Sequence, residues 1–351
     1  MTSVAGPDAV GARRNVSDAA GVVVLGACAA WSLITATAHE GRPEGMLLAV
    51  LAVAAGYAAG RIFGAILPLA APCVAALAGV ALTVAVPHLS AGPEIVGPLG
   101  HAGATAAVLT LSAGAACCAA WATPVTALRL ALRLLAVAIA VTAAALGSTT
   151  AVVTCAAVLL SSVAAGRMHR GVGLAGLALA TALVTGLTWA AAGRALPGGL
   201  AATLEDAFTP YRMHLWHDAL HLARQDAALG VGPGRFGELS STVGESLSSD
   251  GKPHSALLQQ AAEQGFVGVA LLAAAFCWVL LALWHTSRTT PVALTAGAAL
   301  TALAAIATVG NALSFTPVSV GAGLLAGLAT ARPLTEEAGA REARVREGTC
   351  P

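Results

Sequence analysis

The chain has 351 residues, 57% of them hydrophobic and only 10% charged, where a water-soluble domain carries about 25% charged residues. That composition excludes a soluble fold, whose surface would have to be covered in Lys, Arg, Asp and Glu, and makes a lipid bilayer the matching solvent. A net charge of +1, with eighteen basic residues scattered singly between apolar runs, excludes a nucleic-acid-binding face.

The hydrocarbon core of a bilayer takes about 20 apolar residues of helix. After a polar start at 1–18, ten such runs follow, at about 19–38, 45–60, 66–87, 102–123, 130–147, 150–166, 171–193, 263–284, 291–309 and 317–331. The stretch "VLGAC" ending at Cys28 looks like a lipoprotein cleavage site, but the chain continues apolar through "AAWSLITATA", where a lipoprotein turns polar. The fifth and sixth runs are divided at Gly147-Ser148-Thr149-Thr150. Six of the seven cysteines lie inside apolar runs and only Cys350 in a polar tail, which reads as small buried hydrophobes and not as a disulfide framework. The predicted fold is an all-α integral membrane protein with about ten transmembrane helices. Spans 1–7 fill 19–193 and spans 8–10 fill 263–331, with one large hydrophilic loop at 194–262 and a polar tail at 332–351.

Topology follows from Lys and Arg near span ends, which stay cytoplasmic. With the N-terminus inside, twelve of the eighteen basic residues fall in the cytoplasm: Arg13, Arg14, Arg61, Arg129, Arg133, Arg167, Arg170, Arg288, Arg332, Arg341, Arg344 and Arg346. Short external loops then hold only Arg42. The others, Arg194, Arg212, Arg224, Arg235 and Lys252, lie in the 194–262 loop, which is long enough to cross regardless of charge. Both termini are expected in the cytoplasm and this loop outside the plasma membrane, with Ser248 accessible from outside and Thr286 from inside.

The loop holds four of the six Asp and a run of His, and a loop of this length in a compact protein is commonly functional. In "YRMHLWHDALHLARQDAALG" the apolar Leu215, Trp216, Ala219, Leu220 and Ala223 recur at helical spacing, with Gly230 as the stop. A helix near the outer surface is therefore expected.

From 212 to 268 the chain reads R-x3-W-x2-A-L, then "GVGPGRF", then "PHSALLQQAAEQGFVG". This resembles the O-antigen ligase and O-antigen polymerase superfamily, whose members carry Arg and Trp on a loop helix, a G-x-G-x-G-x-F turn, and H-N-x-x-L-Q with E-x-G-x-x-G leading into a span. The resemblance implies transfer or polymerisation of a polyprenyl-diphosphate-linked cell-surface glycan onto a glycan or lipid acceptor at the bilayer face, without metal or cofactor. On the matching positions it implies His254 as the base that takes the acceptor hydroxyl proton and Arg212 as the holder of the diphosphate. Arg235, Arg194, Trp216, Gly232, Gly234 and Gln259 are then the residues around the substrate. Ser255 replaces the usual Asn. "GSTTAV", with Thr149 and Thr150, stands where relatives carry an Arg beside a mid-chain span; Arg194 and Arg235 are the candidates to replace it.

The chemistry of these residue types fits. A guanidinium fork holds the charge that develops on a diphosphate leaving group, and a neutral imidazole accepts a proton near physiological pH. His254 follows Pro253 and is expected to open a helix on which positions 254, 258, 261, 265 and 268 share a face. His, Leu, Ala, Gly and Gly there would admit a neighbouring helix closely. Glu263 faces nearly opposite and is not assigned as the base.

One rival reading is a metal-dependent hydrolase. His217-Asp218-Ala219-Leu220-His221 sets two imidazoles one turn apart, as in H-E-x-x-H, but Asp is shorter than Glu and no third ligand is evident. A transporter would place charged residues mid-span, and the runs have almost none.

Overall fold

A computed structural model describes residues 7–85, 98–195, 199, 209–244, 251–332 and 334. Ser248 and most of the 332–351 tail lie outside the described residues. Within them the chain is all-α. Seven helices precede the hydrophilic loop: α1 (Pro7–His39), α2 (Glu44–Ile66), α3 (Ala70–Ala85), α4 (Pro98–Ala122), α5 (Thr126–Ala145), α6 (Thr149–Ala165) and α7 (Arg170–Ala192). The loop contributes α8 (Pro210–Gln225) and two single turns, α9 (Phe236–Leu239) and α10 (Ser241–Gly244). Then come α11 (Ala256–His285), α12 (Thr290–Val309), a 3-10 turn at Ala312–Ser314, and α13 (Thr316–Thr330).

Each of the ten apolar runs falls on one of these helices. Seven helices are long and apolar enough to cross a bilayer, α1 from Ser17 onward, α2, α4 from Gly103 onward, α5, α7, α11 and α12; α3, α6 and α13 are shorter apolar helices. At 1.5 Å per residue the short ones reach only about 23–26 Å. The protein is an all-α integral membrane protein.

Where the runs end, the backbone gives the reason. Between α5 and α6, Gly147 takes a left-handed φ of +70°, its N–H and that of Ser148 close on Ala144 O and Ala143 O, and the Ser148 hydroxyl then accepts from Ala151 N as the cap of α6. Stop and start signals on adjacent residues split what would otherwise be one long apolar stretch. Arg194 ends α7 in the same way, at φ +52°, with Arg194 N on Ala191 O and Ala195 N on Ala190 O. That position usually belongs to glycine.

Packing sorts helices whose sequences are apolar all round. Along α5, Leu132, Ala136, Ile139 and Ala143 are buried, while Leu130, Leu134, Val137 and Val141 remain exposed. Exposed large hydrophobics recur on α1, α2, α6 and α7, among them Val22, Leu51, Leu160 and Val172, as expected of a surface bathed in lipid chains. The interior belongs to α4 and α12, dominated by Ala, Gly, Ser and Thr. Small residues allow close backbone approach, which replaces the missing hydrophobic drive between helices in lipid. The tightest pair is α2 with α13. A Cβ on Gly56 or Gly60 would strike Val320 O or Leu324 O, and one on Gly323 or Gly327 would strike Val53 O or Tyr57 O.

The bundle has two distinct ends. At one, the Arg61 guanidinium donates to both Asp18 carboxylate oxygens at 3.1 Å, Arg170 donates to Thr286 O (2.7 Å) and to Arg288 O, and Arg288 donates to Gly64 O at 2.9 Å. At the other, the C-terminal ends of α1, α7 and α12 meet the hydrophilic loop.

Candidate active site

The loop builds a small core of its own. α8 starts with Pro210 in its first turn, where a missing N–H costs nothing, and buries Leu215, Trp216, Ala219, Leu220, Leu222 and Ala223. These pack with Val231, Phe236, Leu258, Ala262 and the end of α7 at Ala191 and Ala192. The expected loop helix is present, and α8 and α11 are held together by its apolar face.

After α8, the Asp226 carboxylate accepts from Ala228 N (3.2 Å) and Leu229 N (3.0 Å) and turns the chain into "GVGPGRF". This turn is stitched into a break in α11. Gly265 is non-helical, with φ +66°. In a continuous helix the carbonyls of 262, 263 and 264 would accept from the N–H groups of 266, 267 and 268. Instead Val231 N donates to Ala262 O (2.8 Å), Gly232 N to Glu263 O (3.0 Å) and the Trp31 indole to Gln264 O (3.0 Å), while Phe266 N turns to Ala227 O at 2.8 Å. A Cβ on Gly265 would strike the Ala228 carbonyl, and one on Gly230 would lie 2.6 Å from Ala262 O. Glycine is thus required on both sides of the stitch.

The connection from α1 to α2 closes over the same turn. Arg42 N donates to Pro233 O at 2.7 Å, Arg235 Nη1 donates to His39 O at 2.8 Å, and Arg235 Nε lies 3.6 Å from Glu238 Oε2. The His39 ring lies 3.9 Å from the Asp226 carboxylate. Beneath the turn the Glu263 carboxylate accepts from Gln259 Nε2 at 3.2 Å and from the N–H groups of Gly234 and Phe236.

His254 stands at φ +51°, left-handed for a non-glycine residue. The expectation that it opens the helix is corrected: Ser255 is the cap, its hydroxyl accepting from Leu258 N at 3.3 Å, and α11 begins at Ala256. The serine that replaces the usual amide supplies a capping oxygen itself. The shared face is also revised. Leu258, Ala261, Gly265 and Gly268 are buried as expected, but what approaches Gly265 is the 227–228 backbone and not a helix.

Arg212 lies in the first turn of α8 and donates from Nη1 to Val309 O at 3.0 Å, at the C-terminal end of α12. Burial pushes its guanidinium below the usual arginine range. Arg194 is exposed at the end of α7, whose Gly193 lies against Leu220. Trp216 is 1% exposed and belongs to the core under α8. Gly232 and Gly234, at φ +96° and +76°, shape the turn. The histidines of the rival reading have local neighbours: His217 Nδ1 is 3.4 Å from Ala192 O and His221 Nδ1 3.4 Å from Gln225 Nε2. Asp218 accepts from Ser240 Oγ (2.7 Å), Thr242 N (3.1 Å) and Ser241 Oγ (3.2 Å). Burial would raise its pKa, and these bonds outweigh that and hold it below the usual carboxylate range. Among the described residues no three His, Cys, Asp or Glu stand together as a metal site.

Sequence reasoning missed the 39–42 corner, Trp31 and Val309 as parts of this assembly. No local signal marks them, since their partners lie about 100 to 230 positions away along the chain.

Residues 134–273 match the O-antigen ligase family model, a stretch that begins in α5, ends within α11 and encloses the stitched turn, Arg212 and His254. No curated protein and no solved structure matches the chain. The match supports O-antigen ligase-like glycan transfer in general, with lipid-linked glycan as substrate and the bilayer as surroundings. The chain is an all-α integral membrane protein whose residues 134–273 are similar to the O-antigen ligase family.

Proposed function

We propose that the protein transfers or polymerises a polyprenyl-diphosphate-linked cell-surface glycan, with His254 as base and Arg212 as the holder of the donor diphosphate. The observation that carries this reading is that the family match encloses α8 and the start of α11, two helices that share one small core; Arg212 lies in the first turn of α8 and His254 directly precedes the Ser255 cap of α11. A half-buried guanidinium is desolvated enough for its attraction to a diphosphate to count. His254 takes a left-handed backbone angle, the kind of strain that collects at functional sites. Arg194, exposed at the end of α7 that borders α8, and Arg235 are further phosphate contacts, and Gln259 a further polar contact. Trp216, Gly232 and Gly234 serve by shaping. The hydrophilic loop faces outward and the Arg61, Arg170 and Arg288 end faces the cytoplasm of a plasma-membrane protein.

The test is glycan transfer by purified protein in liposomes. His254→Ala should lower turnover about 10²- to 10⁴-fold with donor binding nearly intact. Arg212→Ala should weaken donor binding and turnover together, and Arg212→Lys should restore part, since the planar fork is lost. Full turnover in His254→Ala would sink the assignment. Orientation is tested by cysteine labelling in whole cells. Ser241 and Ser287 are the probes, because both are exposed whereas the Thr286 hydroxyl is tied to Ala329 O. Ser241→Cys should label from outside and Ser287→Cys only after permeabilisation, and labelling of both from one side would overturn the span count.

A further inference from the structure

α1 lies outside the stretch that matches the family, yet it holds both partners of the stitch between α11 and the glycine turn. The two helices run antiparallel, and an indole closes their contact at each end. Near the start of α1, Trp278 of α11 donates from Nε1 to Ser17 O at 2.8 Å, and its ring fills the space that a Cβ on Gly21 would take. Further along, the Cys28 thiol points to Leu271 O at 3.9 Å. At the far end Trp31 of α1 donates from Nε1 to Gln264 O at 3.0 Å, directly before the break at Gly265.

Beyond Trp31 the same helix reaches the turn. His39 O accepts from Arg235 Nη1 at 2.8 Å, Arg42 N donates to Pro233 O at 2.7 Å, and a Cβ on Gly41 would stand 2.7 Å from that same oxygen. The break and the turn are thus fastened to one rod, at points about 12 Å apart along its axis. Gln264 is 2% exposed, and a buried carbonyl demands a donor. Without the indole, the break relaxes toward regular helix. Regular helix would claim Ala262 O and Glu263 O for its own N–H groups, the two acceptors that now hold Val231 N and Gly232 N.

We propose that Trp31 is a positioning residue: by holding Gln264 O, its indole keeps α11 broken at Gly265 and the glycine turn in register with the segment that follows His254. The consequence for catalysis rests on the function proposed above, while the claim about position has its own readout. Amide hydrogen exchange at Val231 and Gly232 is measured in full-length protein in lipid. Trp31→Phe removes the donor, and β-(3-benzothienyl)alanine placed at 31 keeps the bicyclic ring with sulfur where the N–H was. Each should speed exchange at both amides about 2- to 10-fold, the worth of one hydrogen bond. Trp278→Phe removes the matching bond at the other end of the same contact and should leave both amides unchanged, which a merely stabilising role for Trp31 does not predict. Unaltered exchange with either replacement at 31, or equal acceleration in Trp278→Phe, would overturn the proposal. In the transfer assay Trp31→Phe should lower turnover about tenfold or more while leaving the KM for lipid-linked donor in place, and Trp278→Phe should keep both. If His254→Ala retains full transfer, the functional reading fails, and the exchange rates still decide the positioning claim.

Discussion

Asp218 shows how one side chain can look catalytic in a sequence and prove structural in the fold. In the H-D-A-L-H spacing it occupies the place of a general base, yet it collects Ser240, Ser241 and Thr242 and clasps the 240–242 turn to α8. Because its folded pKa lies below the ordinary value, the stabilisation is fully present above about pH 4, the unfolded range, and is lost as pH falls through the lower folded value. The protection of the Thr242 amide from hydrogen exchange, taken relative to an unstructured amide at the same pH, should therefore fall below about pH 4 in the unchanged protein. In Asp218→Asn exchange should already be fast at neutral pH, with no further step in that window. A protected Thr242 amide in Asp218→Asn would contradict the clasp. The residue types at this site were legible from sequence because their chemistry is local. Their partners were not: nothing near Arg235 announces His39 O, and nothing near Arg212 announces Val309 O.

Among elements, α11 departs furthest from what periodicity suggests. Its apolar run was legible as a helix, as were the other nine, because an apolar run is a property of contiguous residues, and seven of the ten are long enough to cross a bilayer. The break at Gly265 was not, since E-Q-G-F-V-G reads equally well as unbroken helix and only the 227–232 turn reveals the exchange of hydrogen bonds. Two glycines of nearly equal φ separate the causes. Gly147 has nothing within 4 Å of where a Cβ would stand, whereas one on Gly265 would run into the Ala228 carbonyl. Gly147→Ala should thus cost only the left-handed penalty, about 1–2 kcal/mol, and Gly265→Ala that penalty plus about 1–3 kcal/mol of overlap. Thermal unfolding in detergent should rank them so, and transfer activity should fall only in Gly265→Ala. Equal losses would mean that the stitch is looser than its distances say.

For the whole molecule, the contact of α2 with α13 closes the bundle. Its glycines at every fourth position were visible in the sequence, but their pairing across some 260 residues was not. Gly60→Leu should separate the two backbones and destabilise the protein by about 3 kcal/mol. The drop should appear in the thermal midpoint, along with faster proteolysis of α13, whereas Gly45→Ala, where a Cβ meets nothing within 4 Å, should be silent. The same contact sets an order of events during synthesis. At ~5–20 residues per second, α2 waits roughly 15–50 s between its own emergence from the ribosome and that of the helix it fits. Through that interval its flat glycine face lies open in the membrane, where another small-residue helix, including α2 of a neighbouring nascent chain, can occupy it. Arrest of translation before α13 should therefore yield a species that a free α13 peptide rescues and that self-associates without it.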